Sequence, residues 1–483
     1  MSKTNLIKGK SSVLDRKVNQ YEESMKKKFI EIMSEEGIKY ADCLDFVQNE
    51  IEQSKKMSKF CYKIPCFKND GIYQLNQAIS EVFGSVVSKE DDSPSGNSNI
   101  STVDITLADG SRMKAPYGDI QLAGLGEDSL ISINYDSVAH VLLVTGSCQF
   151  RFSSLIDDIV EVAKRNISTN SIYKGQALEI TDINEPKILD LSSIDDQLMI
   201  LSDQTEYDLR PIRARLLNPD KCVEKGIPLK FGALLEGGYG TGKTLLAFKL
   251  ARQAVENGWI FIYLKDPTLL AESLRMSKII DKSGHGALVF VEDIDQVTRG
   301  DRDSAMQDIL NTLDGGDTKD MNVITLFTTN HINLIEPTFL RGKRIGTIIS
   351  MGALDAKTAE VFIRESFKIG CYTIVDDLTE VCKLIEENNI APAFMAEIIE
   401  KVKAMMVLDD QCEVKAEYIK FSVKSYLNQV KLSRTKDMSM TPEKRFVDSL
   451  REVLHANKSE ENQEAFIDMM ENYCDDDISN YKG

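Results

Sequence analysis

The chain has 483 residues, room for about three domains of ordinary size. Hydrophobic residues make up 42% and charged residues 28%, which excludes collagen-like, wholly coiled-coil and wholly disordered classes. Against 76 Asp and Glu stand 58 Lys and Arg, and the resulting formal charge of -18 repels duplex nucleic acid and argues against a DNA-coating role.

Residues 1–60 read as a basic helical arm. The first thirty carry eight Lys or Arg, Lys26, Lys27 and Lys28 among them, against three acids, a local +5. Such a run is either a solvated helical face or a docking arm for an acidic partner. Its opening residues are polar with no apolar segment behind them, so no secretory signal is expected. Residues 61–180 read as a small α+β domain. A loop at 90–99 has breaker composition. Residues 102–107 alternate apolar and polar, 108–111 turn the chain into a hairpin, and further strands are expected at 129–135 and 139–145. Leu155, Ile159 and Val162 lie at helical spacing in 152–165. The acids Asp157 and Asp158 read there as solvated residues favoured by the helix dipole.

Strands alternate with helices over 185–350, the pattern of a parallel sheet. Residues 351–435 read as helical throughout, and 436–483 as an acid-rich tail. Its last 25 residues hold eight acids and one lysine, with an amphipathic piece around Phe466. No apolar run approaches the roughly 18 residues of a membrane-crossing helix. Nine cysteines are scattered, and neither a second pair nor a histidine completes a zinc set around Cys61 and Cys66. Buried reduced thiols fit this usage, which suits a reducing compartment and makes cytoplasm the expected location.

The strongest signal is Gly237-Gly238-Tyr239-Gly240-Thr241-Gly242-Lys243-Thr244. It satisfies G-x-x-x-x-G-K-[ST], follows the apolar strand Ala233-Leu234-Leu235 and opens a helix-forming run from Leu245. Glycines there let backbone N–H groups turn inward onto phosphate oxygens at a helix N-terminus. Lys243 is placed to reach the β- and γ-phosphates, and the Thr244 hydroxyl to hold Mg²⁺. About fifty residues on, the apolar strand 287–291 ends in Glu292-Asp293-Ile294-Asp295. Carboxylates at the end of a buried parallel strand sit beside the phosphates. Position assigns Glu292 to the Mg²⁺ shell and Asp293 to polarising water. A third strand, 323–327, leads into Thr328-Thr329-Asn330-His331. The Asn330 amide is placed to sense the γ-phosphate or the attacking water, and His331 reads as structural.

These words, with Leu313-Asp314-Gly315-Gly316-Asp317 and Phe339-Leu340-Arg341-Gly342-Lys343-Arg344, stand in the order found in AAA ATPases, and residues 185–430 resemble that family. The likeness is greatest to its single-ring members from bacteriophages and bacteria. Glu-Asp-Ile-Asp and Thr-Thr-Asn-His are also shared with the mitochondrial translocase branch that handles the Rieske protein. The resemblance implies an α/β fold: a P-loop NTPase αβα sandwich (185–350) with a C-terminal helical lid (351–435). It implies ATP and Mg²⁺ as cofactors and a homo-oligomeric ring, usually a hexamer. Arg341 and Arg344 then fall on the paired arginine fingers that reach a neighbour's γ-phosphate.

Three features depart from the family pattern. The acids stand as Glu292 then Asp293 rather than Asp then Glu, so slow hydrolysis is one expectation. Between the arginines the stiffening proline is absent. No aromatic-Gly pore word follows the strand 259–264, and Leu274 and Met276 read as core. At 390–395 no arginine stands where a second sensor would, and small residues are expected to pack on the nucleotide. The function implied is a ring-forming ATPase that remodels a protein complex chosen by the N-terminal domain. One rival is a nucleic-acid-associated ATPase using Arg275, Lys278 and Lys282, though the acidic charge makes nucleic acid the less expected partner. The other is a nucleotide-gated assembly platform with little turnover.

Overall fold

The computed structural model describes residues 5–8, 11–34, 40–84, 101–123, 125, 129–194, 198–280, 285–295, 304–314, 321–341 and 344–436. The chain divides into two compact units, residues 1–365 with 382–395, and residues 366–381 with 396–483.

The first unit opens with a five-stranded sheet in the spatial order β1 (Asn5–Lys8), β5 (Gly118–Ala123), β6 (Leu130–Asp136), β7 (Val141–Gln149), β2 (Met57–Pro65). Period-2 patterning buries one side of it: Ile131, Ile133, Leu142, Val144 and Ile64 are at most 3% exposed. Helices α3 (Lys68–Phe83) and α4 (Ser153–Thr169) supply the facing layer through Ile72, Leu75, Ile79, Leu155 and Ile159. The expected hairpin is present as β3 (Thr102–Thr106) and β4 (Arg112–Pro116), with Ser111 N donating to Asp109 Oδ1 at 2.9 Å across the turn.

Two expectations for this region change. The arm is not helical throughout: helices α1 (Ser11–Met33) and α2 (Tyr40–Lys55) are flanked by β1 and β2, both strands of the domain sheet. A four-residue strand carries too little local signal, and its parallel partner β5 lies more than a hundred residues away. Asp157 and Asp158 are also not simply solvated. Asp157 accepts from the Tyr62 hydroxyl, and Asp158 pairs with Lys17 of α1. Lys26, Lys27 and Lys28 are exposed. The 90–99 loop and the acidic tail lie outside the described residues.

The second layer system is a seven-stranded sheet ordered β14 (Thr347–Ser350), β10 (Phe231–Glu236), β13 (Val323–Thr329), β12 (Ala287–Val291), β11 (Ile260–Leu264), β8 (Ala177–Ile180), β9 (Lys187–Ile188). Every neighbouring pair is parallel except β8 with β9. Strands β11, β12 and β13 are buried along their whole length, as apolar runs covered on both faces require. Ile262, Leu264, Val289 and Val291 face a layer containing α8 (Leu270–Ile280) and the helix Ser304–Asp314. Phe261, Tyr263, Leu288 and Phe290 face α5 (Asp203–Leu217), α6 (Pro219–Glu224) and α7 (Lys243–Glu256). This is the expected αβα sandwich, but its sheet begins at Ala177, inside the segment read as N-terminal domain.

In the second unit Phe367, Leu378, Val402, Met406, Val414, Ile419 and Val423 are buried. The lid is not helical throughout, because Thr373–Ile374 and Glu413–Val414 pair as a short parallel ladder. Lys420 closes on Glu380 at 2.7 Å, and Ala416 N donates to Asp376 at 2.9 Å. No helix among the described residues is long and apolar enough to cross a membrane.

Candidate active site

Parallel strands deliver their carboxyl ends to one edge, and three loops meet there, after β10, β12 and β13. The loop after β10 closes tightly. Gly237 takes φ +150°, and a Cβ there would stand 2.0 Å from the Met351 carbonyl oxygen, so no side chain fits. Gly238, Tyr239 and Gly240 are exposed, while Thr241 and Lys243 are buried. Gly242, at φ 91°, caps α7, whose first residues are Lys243 and Thr244. A glycine loop running into a helix N-terminus aims N–H groups and the positive helix end at an anion. The loop is braced by the small residues expected at 390–395. Ala393 N donates to Gly240 O at 3.1 Å, and a Cβ on Gly240 would come 3.1 Å from that of Ala393.

Lys243 Nζ donates to Gly237 O at 2.6 Å, Gly238 O at 2.8 Å and Asn330 Oδ1 at 2.9 Å. Burial holds its ammonium below the usual lysine range, against the pull of Asp293, Glu236, Asp295 and Glu292. Partial desolvation strengthens this cation's attraction for a phosphate that enters, while the surrounding acids oppose it until a divalent cation offsets them. Asn330 in turn donates through Nδ2 to Asp293 Oδ1 at 3.1 Å, so one amide links the cation of the first loop to the acid of the second. Asp293 adopts the left-handed φ of 47°, and its N–H donates to Thr328 Oγ1 at 3.0 Å. Non-glycine residues rarely adopt that backbone region, and such strain gathers at functional sites.

Thr244 Oγ1 donates to Glu292 Oε1 at 2.7 Å. Magnesium takes oxygen ligands, one or two from carboxylates and the rest from phosphate and water. A hydroxyl and a carboxylate in mutual reach, beside a phosphate cradle, fit that partial set. Among the described residues no group of three or more His, Cys, Asp or Glu could hold a metal by itself.

The structure thus brings together Lys243, Thr244, Glu292, Asp293 and Asn330. The two arginines lie apart and differ. Arg341 is exposed. Arg344 is 11% exposed in its side chain and forms a two-pronged pair with Asp314, 2.7 Å from Nε to Oδ1 and 2.5 Å from Nη2 to Oδ2. Its Nη1 also donates to Thr338 O at 2.5 Å. Gly315-Gly316-Asp317 and Gly342-Lys343 lie outside the described residues. Leu274 and Met276 are both 2% exposed, core residues as expected.

Reading the sequence missed Tyr263, whose hydroxyl donates to Glu292 Oε2, and Asp295, which accepts from Thr329 Oγ1 at 3.0 Å. The signal for Tyr263 was its hydroxyl in a strand of otherwise apolar residues. His331 packs edge-on to Tyr239 with ring centres 6.4 Å apart, a structural contact.

Residues 233–353 match the family model described as the ATPase family associated with various cellular activities (AAA). Over 320 residues the chain is 24% identical to the ATP-dependent zinc metalloprotease FtsH of Helicobacter felis, covering 63% of this chain and 48% of that protein. The chain spans about half the length of that curated relative.

Proposed function

We propose, from the premise that residues 233–353 are an AAA ATPase domain using ATP and Mg²⁺, that this chain is a ring-forming ATPase that remodels or disassembles a protein complex. The observation that carries the catalytic part is the relay Lys243–Asn330–Asp293 beside the Thr244–Glu292 pair, all at the carboxyl edge of one parallel sheet. Magnesium bound by Thr244 and Glu292 would neutralise charge on the β- and γ-phosphates. Lys243 binds those phosphates, giving up its contacts to the loop carbonyls. Asp293 accepts the proton of the attacking water as its oxygen bonds to the γ-phosphorus and the bond to ADP breaks. Asn330 holds that carboxylate in place through Nδ2 and reports the lysine's position through Oδ1.

Ring assembly, with a hexamer as the expected number, and Arg341 and Arg344 as the cations delivered to a neighbour's site rest on the family likeness; Arg341 is exposed for that role, while Arg344 would have to leave its pair with Asp314. The finer kinship with single-ring phage and bacterial members, and with the Rieske-protein translocase branch, rests on motif words alone. A domain division with the 1–60 arm joined to the sheet of the N-terminal domain, the ATPase core taken from 177 rather than 185 to 350, a lid at 351–435 and a tail at 436–483, a client or adaptor bound through the N-terminal domain, and a cytoplasmic location belong to the same proposal. The relative's name describes a zinc metalloprotease, and the H-E-x-x-H word that binds zinc in many such enzymes does not occur in this sequence.

The decisive experiment pairs Lys243→Ala with Asp293→Asn. Nucleotide binding should fall in the first and persist in the second, with hydrolysis lost in both. An Asp293→Asn protein hydrolysing at the wild-type rate overturns the assignment of the base. Low turnover in the unmodified protein would favour the gated-platform reading, which the swapped acids and the left-handed Asp293 support. Stimulation by DNA at low salt, lost by about 200 mM, would instead favour the nucleic-acid reading. Arg275 and Lys278 are exposed on α8, and Lys282 lies outside the described residues.

A further inference from the structure

Glu292 carries one methylene more than aspartate, and the added rotatable bond spreads its carboxylate over more positions. A magnesium ligand tolerates little spread, because the ion demands near-octahedral geometry at short distances. Both oxygens are gripped in this protein. Thr244 Oγ1 holds Oε1 at 2.7 Å, and the Tyr263 hydroxyl holds Oε2. Tyr263 has little freedom of its own. It is 7% exposed, stacks on Phe290 with ring centres 5.3 Å apart and planes 12° apart, and meets the edge of Phe248 at 5.3 Å. Tyr263 and Phe290 are register partners across β11 and β12, so the sheet fixes the stack and the stack fixes the hydroxyl. Lys265 lies 5.5 Å from the same ring centre.

We propose that Tyr263 is a positioning residue for the magnesium site, fixing one oxygen of Glu292 so that the other stays with Thr244 and the metal. The inference rests on the reading of Glu292 and Thr244 as magnesium ligands. Hydrogen-bond partners of metal ligands typically contribute 10–100-fold to metal affinity, which sets the scale of the effect.

The test uses the full chain with a non-hydrolysable ATP analogue and Mn²⁺ as a paramagnetic probe. Tyr263→Phe removes one oxygen and keeps the stacked ring, so a cooperative melt like the wild type's is expected. Its Mn²⁺ affinity, read by electron paramagnetic resonance, should weaken about 10-fold or more. Binding of a fluorescent ATP analogue in EDTA should not change. In hydrolysis assays the half-saturating Mg²⁺ should rise by the same factor, with kcat at saturating Mg²⁺ close to wild type. In a Glu292→Gln background Tyr263→Phe should cost nothing further, the non-additivity expected of partners. Wild-type Mn²⁺ affinity in Tyr263→Phe, with Glu292→Gln itself weakened, overturns the role of Tyr263 alone. Affinity indifferent to Glu292→Gln overturns the magnesium assignment and the role of Tyr263 with it.

Discussion

Arg344 and Arg341, three positions apart, have different surroundings in this structure. The pair with Asp314 and the bond to the Thr338 carbonyl tie Arg344 into its own chain, and the pair itself raises Arg344's affinity for its proton and depresses that of Asp314. Arg344→Ala should therefore lower the melting temperature, at a cost of about 1–2 kcal/mol once screening at the half-exposed Asp314 is allowed for. Arg341→Ala should leave the melt alone and slow hydrolysis by about 10³ if its guanidinium acts on a neighbour's site. Parallel melts and ATPase rates separate the two. Equal loss of hydrolysis with no change in either melt would return both arginines to the finger role. A second residue makes stability depend on pH. Asp70 is fully buried in the first turn of α3, and it accepts bonds from Ser171 Oγ at 2.7 Å and Ile172 N at 3.1 Å. Burial nonetheless wins over those bonds and pushes its carboxyl up to about 6 from 3.8. The folded state then holds this proton more tightly than the unfolded one. The stabilisation is complete below about 4 and lost as pH rises through 6, roughly 3 kcal/mol in all. Asp70→Asn, whose amide oxygen still accepts from Ile172, should be the more stable protein at pH 7.5 and should flatten the profile. Urea unfolding at pH 4.5 and 7.5 measures both, and a variant weaker at pH 7.5 would refute the account.

Among the elements, those that announce themselves are the ones whose information is local. The phosphate loop is a contiguous word between an apolar strand and a helix, and the structure folds it that way. The acids after β12 and the amide after β13 were legible because each ends a buried apolar run. What stayed hidden depends on partners remote in sequence. Tyr263 meets Glu292 only through the β11–β12 register, Asp314 meets Arg344 across thirty residues, and β1 is a strand only because β5 receives it. Strand β8 was hidden for the same reason, being a four-residue apolar piece beyond a boundary drawn by composition at 185. It pairs Phe261, Ile262, Tyr263 and Leu264 of β11 with Ala177, Leu178, Glu179 and Ile180. A fragment starting at 185 would strip this strand and leave the backbone edge of β11 open, a template for aggregation. A fragment from 171 to 436 should be soluble where 185–436 is not, as size-exclusion profiles of the two would show. Equal solubility would mean that β8 is dispensable to the sheet.

For the whole molecule, the joint between the first sheet and the ATPase sheet matters most. Ile172 and Ile279 pack against both hydrophobic cores at once. Phe67, from the turn before α3, meets Tyr173 edge-on at 5.3 Å inside the ATPase core. Around the apolar contacts runs a polar rim, with Lys68 on Glu185 at 2.7 Å and the buried His140 between Asn184 at 3.0 Å and Glu272 at 3.4 Å. Two of these contacts, Glu272 and Ile279, are on α8, the helix that follows β11 and with it Tyr263. A flexible linker would let the N-terminal domain wander while the nucleotide site cycles. A joint made of shared core residues behaves instead like a gear train. A shift of β11 with bound nucleotide would pass through the shared residues of α8 to the N-terminal domain, and a load on that domain would press back on β11.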